Sequence, residues 1–410
     1  MPVLIKVPLS AAGLTANQIE DAIEVLKSGN LTMGSSVRNF EKAMADYLNV
    51  REFVMVNSGS SANLAMIEAC LRPSNNRPRL RPGDGVIVPS IAWPTTVWPL
   101  IQMGLKPVFV DVNPVTLGLD MDEICRTLEN ASVPIKAIFA INPLGKSLDE
   151  GALQSLSKRF GLTLLFDNCE ALGSKFRGER AGATGVACSY SFYFSHHITT
   201  MEGGGIATDD LELADDLRSI RSHGWNRDRA DSAIWESYVQ SENAKFLFVT
   251  TGFNIRPMEI QAAIGLSQVS EIDKYVERRQ HIAKSVAESM KNESLEVVGF
   301  SKSLQEEGAG SVHSWMLVPI RVKGPNAEKR KSKIVTLLNE LGIETRPILT
   351  GNFLSQPAIR RLFPEMPSPE EFPVSSLITN CYFMVGCHHD FTDSQVAHLV
   401  SAFARASDVE

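Results

Sequence analysis

A chain of 410 residues is longer than one ordinary core supports, so one large and one smaller domain are expected. Hydrophobic residues at 44 % and charged residues at 21 % are ordinary for a soluble globular protein, and a net charge of −7 argues against a general nucleic-acid binder. No apolar run approaches bilayer-spanning length, and Met1-Pro-Val-Leu-Ile-Lys6 lacks a signal-peptide pattern. Six scattered cysteines with no Cys-x-x-Cys pair suit reduced thiols, so a cytoplasmic location without membrane attachment is expected.

From 48 to 210, short apolar runs alternate with helical patterns. Asn57-Ser-Gly-Ser-Ser-Ala62 leads into a helix expected over 61–71. Small residues there let backbone N–H groups approach an anion, and the helix dipole favours it; a plain N-cap is the alternative. The Pro- and Arg-rich stretch 72–84 reads as a surface loop. Strands are expected at 85–88, 107–111, 135–141 and 162–167, with a helix over 148–160. This alternation predicts a mostly parallel sheet covered on both faces. Ligands of such sheets sit at the carboxyl ends of the strands, where Asp167 and the turn 195–205 both fall. Asp at a strand end is often only a turn former, and Trp93, just after a strand, can be a partly buried core residue. The adjacent His196 and His197 lack a third ligand at a recognised spacing, so no metal is expected. Residues 256–292 are strongly helical in pattern and connect the two parts. Beyond them a strand over 314–320, a helix over 331–341 ended by Gly342, a strand over 343–347 and a helix over 393–404 suit a small α+β domain. The charge run 326–333 reads as a solvated face. The division expected is 1–270 for a large domain and 271–410 for a small C-terminal one.

The most specific stretch is Ser191-Phe-Tyr-Phe-Ser-His196-His197-Ile-Thr-Thr-Met-Glu-Gly203-Gly-Gly205. It resembles the cofactor-lysine motif of the DegT/DnrJ/EryC1/StrS sugar aminotransferases, in which Ser-Phe, three residues, then Lys precede a Glu-Gly-Gly turn. Here His196 fills the lysine position. A lysine would form a Schiff base with pyridoxal phosphate (PLP); histidine cannot, but it moves protons near neutral pH. In this family the swap marks the branch of 3-dehydratases that act on nucleotide-linked 4-keto-6-deoxy sugars. Leu31-Thr-Met-Gly34, Ser222-His223-Gly-Trp225, Gly252-Phe-Asn254-Ile-Arg256 and Glu344-Thr-Arg346-Pro347 extend the likeness over 8–357. It weakens at Val385-Gly-Cys-His-His-Asp390.

The resemblance implies an α/β protein with the type I, aspartate aminotransferase fold of PLP enzymes: a large domain on a central, mostly parallel sheet and a small C-terminal α+β domain. It implies that Gly59, Ser60 and Ser191 hold the cofactor phosphate, Trp93 stacks on the ring, Asp167 meets the ring nitrogen, and Glu170 lies near the ring hydroxyl. Asn254 would reach the cofactor phosphate of a partner in a homodimer. His196 would be the catalytic base, with His223, Arg227 and Arg346 on the substrate side. The cofactor would be PLP cycling with pyridoxamine phosphate (PMP), held non-covalently, with glutamate as amino donor. The substrate would be a nucleotide-linked 4-keto-6-deoxyhexose losing its C3 hydroxyl, on the way to the 3,6-dideoxysugars of lipopolysaccharide O-antigens. A second His-bearing branch holds a [2Fe–2S] centre on clustered cysteines. No cysteine lies between His223 and Asn254, so no iron–sulfur cluster is expected. The alternatives are a sugar aminotransferase whose lysine comes from elsewhere, and a non-catalytic binding relative.

Overall fold

Apolar-rich runs of five to seven residues, too short for helices, make the strands Glu52–Val56, Gly85–Pro89, Ile135–Ile141 and Thr163–Asp167. A computed structural model describes residues 5–10, 13–239, 245–300 and 310–409. Its strands are β1 (Glu52–Val56), β2 (Gly85–Pro89), β3 (Lys106–Val110), β4 (Ile135–Ile141), β5 (Thr163–Asp167), β6 (Lys175–Phe176), β7 (Glu179–Arg180), β8 (Ala187–Ser191), β9 (Gly204–Thr208), β10 (Leu295–Val297), β11 (Leu317–Val322), β12 (Thr345–Arg346) and β13 (Tyr382–Gly386). The large sheet has seven strands in the order β1-β9-β8-β5-β4-β2-β3, and β9 runs antiparallel to both neighbours while the other pairs are parallel. A second sheet has the order β10-β11-β13-β12, and β6 and β7 form a small hairpin.

Side chains alternate across the large sheet with the period of two that a strand imposes. Val54 and Val56 face one layer with Ala62, Met66, Leu213 and Leu217 of the helices Gly59–Cys70 and Leu211–Ile220. Phe53 and Met55 face the other, with Phe40, Met44 and Ala262 of the helices Ser35–Leu48 and Glu259–Val269. Strands covered on both faces are buried throughout, as β2, β5, β8 and β9 are. The second sheet packs Val318, Ile320, Phe383 and Val385 against helices Ile272–Glu288, Ala327–Glu340 and Asp393–Ala406. Val7 joins that cluster and bridges Ile343.

Some local expectations change in the folded chain. The helical stretch 256–292 is two helices, Glu259–Val269 and Ile272–Glu288: the first packs on the large sheet, and the second starts on that layer with Ile272 and Val276 and ends on the small sheet with Ile282, Ala283 and Val286. The strand expected from 314 begins at Leu317: Ser314 N–H and Met316 N–H donate to the carbonyls of Gly145 and Leu144, and Trp315 has φ 49°. The helix expected from 331 begins at Ala327, taking the charge run into its first turns. The loop 72–84 is anchored, not merely superficial: Arg77 is buried and pairs with Asp210 and Asp216 at 2.9 and 3.0 Å.

Gly145 joins the two sheets. Its φ is 84°, and a Cβ would lie 2.3 Å from the Trp315 nitrogen. Gly145→Ala should therefore destabilise the protein by more than about 2 kcal/mol, combining left-handed strain with overpacking. Urea unfolding of the two proteins measures it, and an unchanged midpoint would refute the tight junction.

Candidate active site

Four parallel strands deliver the candidate residues to one edge of the large sheet. β1 leads through residues 57–58 into helix Gly59–Cys70, β2 leads to Trp93 at the head of helix Pro94–Gln102, β5 ends on Asp167 and β8 on Ser191. Ser58 caps its helix by accepting from Ser61 N–H at 3.1 Å. The N–H groups of Gly59 and Ser60 belong to the first turn, where a helix has no carbonyl for them. The loop is pressed onto the sheet: a Cβ on Gly59 would lie 2.4 Å from Ser191 Cβ, and one on Gly204 would lie 2.4 Å from the Ser58 carbonyl. Gly59, exposed Ser60 and Ser191 thus come together, and their N–H and hydroxyl groups suit a phosphate.

Asp167 is buried at the centre. Its Oδ2 accepts from Asn63 Nδ2 and Thr96 Oγ1, both at 2.7 Å, while Oδ1 accepts from Cys169 N–H at 3.2 Å. Asn63 Oδ1 accepts in turn from Ser189 Oγ at 2.5 Å. A buried carboxylate needs such donors, and Oδ1 retains capacity for one more, such as a protonated ring nitrogen. Glu170 accepts Leu144 N–H at 2.9 Å. Burial pushes its carboxyl up to about 7, the Leu144 N–H opposing and the Asp167 charge adding.

His196 lies in the turn between β8 and β9. Its Nδ1 donates to the Cys169 carbonyl at 2.6 Å, which fixes the tautomer and leaves Nε2 as an acceptor. Burial pushes the imidazole down to about 4; the Cys169 carbonyl and Asp167 oppose this and Arg279 reinforces it. The ring is therefore neutral near pH 7. His197 points elsewhere, its Nε2 3.1 Å from the Ser314 carbonyl.

The side chains of the remaining candidates share no hydrogen bond with this cluster among the described residues. Trp93 is 54 % exposed. Asn254 is exposed, and its Oδ1 accepts from Arg256; the next residue, Ile255, accepts Asn57 N–H at 3.0 Å, so the segment borders the phosphate-type loop. His223 is exposed with φ 62° and donates its N–H to Phe253. Arg227 pairs with Asp228 and lies over Trp225, while Arg346 pairs with Glu344 at 3.5 Å. Among the described residues neither arginine shares a partner with His196 or Asp167. Asn63, Thr96 and the Cys169 carbonyl were not among the sequence candidates. Asn63 alone had a signal, as an amide between small and apolar residues in the first turns of its helix.

A mostly parallel seven-stranded sheet with a small-residue loop and a buried aspartate at its carboxyl edge belongs to a protein of the PLP-dependent aminotransferase fold. The chain belongs to the DegT/DnrJ/EryC1/StrS aminotransferase family, whose model matches residues 13–404. It is 33 % identical over 405 residues to GDP-4-keto-6-deoxy-D-mannose 3-dehydratase of Yersinia pseudotuberculosis, covering 97 % of this chain and 98 % of that protein. It resembles a solved His-to-Asn mutant of GDP-4-keto-6-deoxymannose-3-dehydratase with bound GDP-perosamine: TM-score 0.87, 31 % identity, 97 % of this chain and 100 % of that one. A further structure of GDP-4-keto-6-deoxymannose-3-dehydratase, with a trapped PLP-glutamate geminal diamine, gives TM-score 0.83 at 30 % identity, again covering 97 % and 100 %.

Glu170 sets a pH signature. Between the ordinary 4.5 and about 7, folded Glu170 keeps a proton that the unfolded chain has released, so its contribution to stability falls as pH rises through that window. Glu170→Gln should remove this slope. The melting temperature of the cofactor-free variant minus that of wild type should climb from pH 5 to 7 and then level off; a difference constant across that range would refute the assignment.

Proposed function

We propose that this chain is a PLP/PMP-dependent 3-dehydratase of a GDP-linked 4-keto-6-deoxyhexose, with glutamate as amino donor. The observation that carries it is His196: an imidazole in the lysine position, locked by the Cys169 carbonyl with Nε2 free to accept a proton. When bound, the cofactor supplies an electron sink and the amino group that engages the sugar's C4 ketone. Gly59, Ser60 and Ser191 would hold its phosphate, Trp93 would cover its ring, and Asp167 Oδ1 would keep its ring nitrogen protonated. His196 Nε2 takes up a proton and returns it to the departing C3 oxygen, which leaves as water. Its low proton affinity makes the protonated ring a strong donor for that step. Without a lysine at 196 the cofactor stays untethered, and Lys146, buried near the turn 143–145, already donates to the Val115 carbonyl.

The same reading assigns Asn254 to the cofactor phosphate of a partner in a homodimer. Exposed Trp93, Tyr193, Phe194 and Phe248 support an interface of this kind. His223, Arg227 and Arg346 are assigned to the nucleotide sugar. The exposed Arg346–Glu344 pair is worth at most about 1 kcal/mol, so a phosphate readily displaces the carboxylate. The division near residue 270 and a cytoplasmic location belong to the reading too; among the described residues no helix is long and apolar enough to cross a membrane.

Incubation with PLP, glutamate and GDP-4-keto-6-deoxymannose, followed by mass spectrometry, should give a 3-deoxy-4-keto sugar nucleotide; a stable 4-amino sugar would point to amino transfer instead. His196→Asn should lower dehydration by about a hundredfold or more, and wild-type turnover in that variant would remove His196 from the mechanism. Borohydride treatment of the PLP-loaded enzyme should leave the 191–205 peptide without a pyridoxyl group. Sedimentation should show a dimer, and an active monomer at assay concentration would contradict the composite site.

A further inference from the structure

The helix Ile272–Glu288 carries a cation into the interior. Arg279 is fully buried and forms no ion pair among the described residues. Its guanidinium spends its donors on backbone instead: Nη1 on the carbonyls of Trp315 and Met316 at 3.1 and 3.0 Å, and Nη2 on the carbonyl of His196 at 3.3 Å. Nε has no hydrogen-bond partner. A buried charge without an ion pair is costly, and what this one meets is the main chain of 315, 316 and 196.

His197 repeats the connection, its ring bonded to the Ser314 carbonyl. Two consecutive residues of the turn are therefore tied to the stretch 314–316. That stretch is fixed in its turn: Ser314 N–H donates to Gly145 at 2.7 Å, Met316 N–H to Leu144 at 3.0 Å, and Cys387 Sγ to the Trp315 carbonyl at 2.8 Å. We infer that Arg279 is a positioning residue for His196: it clamps the main chain of the proton-transfer turn to the second sheet and places a cation where protonation of the ring would add another. The clamp is independent of the proposed reaction; only the meaning of His196 as the proton carrier rests on it.

The groups facing His196 from other elements act in both directions. Asp167 at the end of β5 favours the protonated ring, and the Cys169 carbonyl does the same through Nδ1. Tyr193 presents its ring edge-on at 6.2 Å. After β13, His388, His389 and Asp390 line a cavity of about 40 Å³ together with His196, His197 and Tyr275. Burial holds His197, His388 and His389 neutral, with the Arg279 charge pushing the same way, and it raises the Asp390 carboxyl. Arg279 thus supplies the fixed positive charge on this side of the turn.

The test titrates the His196 ring by NMR in the histidine-labelled, PLP-loaded protein, its signal assigned by loss in His196→Asn. In wild type the ring should stay neutral at pH 6. Arg279→Gln, which keeps an amide donor but not the charge, should raise the midpoint by about one pH unit and move the acid limb of the activity profile with it. Arg279→Lys, which loses the guanidinium fork, should lower kcat with KM little changed. An unaltered midpoint in Arg279→Gln would overturn the inference. So would a wild-type ring half-protonated at or above pH 6.5, a result that needs no variant to fold. A shifted midpoint in a protein that dehydrates no sugar would uphold the clamp and count against the proposed reaction alone.

Discussion

The site exists because two backbone segments touch where side chains would keep them apart. Residues 58–59 lie on the ends of β8 and β9, with no room for a Cβ at Gly59 or at Gly204. That contact brings a helix N-terminus within reach of Ser191. The same helix then places Asn63 on Asp167, one turn further along. One close approach thus sets both the helix start beside Ser191 and the amide on Asp167, the two ends of the seat proposed for the cofactor.

The polar core beneath it is a closed set of hydrogen bonds. Asp167, Asn63, Thr96 and Ser189 satisfy one another in surroundings that would penalise any of them alone. Such a network holds a carboxylate in one orientation before a ligand arrives, which is what pre-organisation requires. Glu150 does similar work one layer below, accepting from Asn142, Gly182 and Thr184, and Asn142 also donates to Asn168 beside Asp167.

The sequence was most legible where local pattern decides structure. The strand at 135–141 is read off directly, since Ile, Ala and Phe are confined there to a run too short for a helix. Asp167 could be placed at a strand end, and Ser191 and His196 stood out against the spacing of a known motif. Tertiary contacts were less visible. The Cys169 carbonyl is a backbone atom and leaves no mark on composition, and Thr96 looks like any threonine in a helix start. Arg279 sits beside Arg278, which is half-exposed and pairs with Asp393 at 2.7 Å. Only the helical period separates them: Val276, Arg279, Ala283 and Val286 share the buried face. Arg77 was hidden differently, in a loop whose Pro and Arg content suggested solvent while its ion-pair partners lay more than a hundred residues away.

The placement of His196 also separates the proposed proton carrier from the groups assigned to the cofactor. The groups assigned to ring and phosphate hang on β5, β8 and the helices that follow β1 and β2, whereas residue 196 rides on a separate turn between β8 and β9. Its side chain is fastened to the rest of the edge by a single bond to a main-chain carbonyl, not to a matched side chain. That carbonyl lies just past the end of β5, so the ring is oriented by the path of the main chain and needs no partner side chain. The proposed proton carrier and the seat proposed for the cofactor are therefore built from separate segments, and a substitution at 196 can alter the one without removing a side chain from the other.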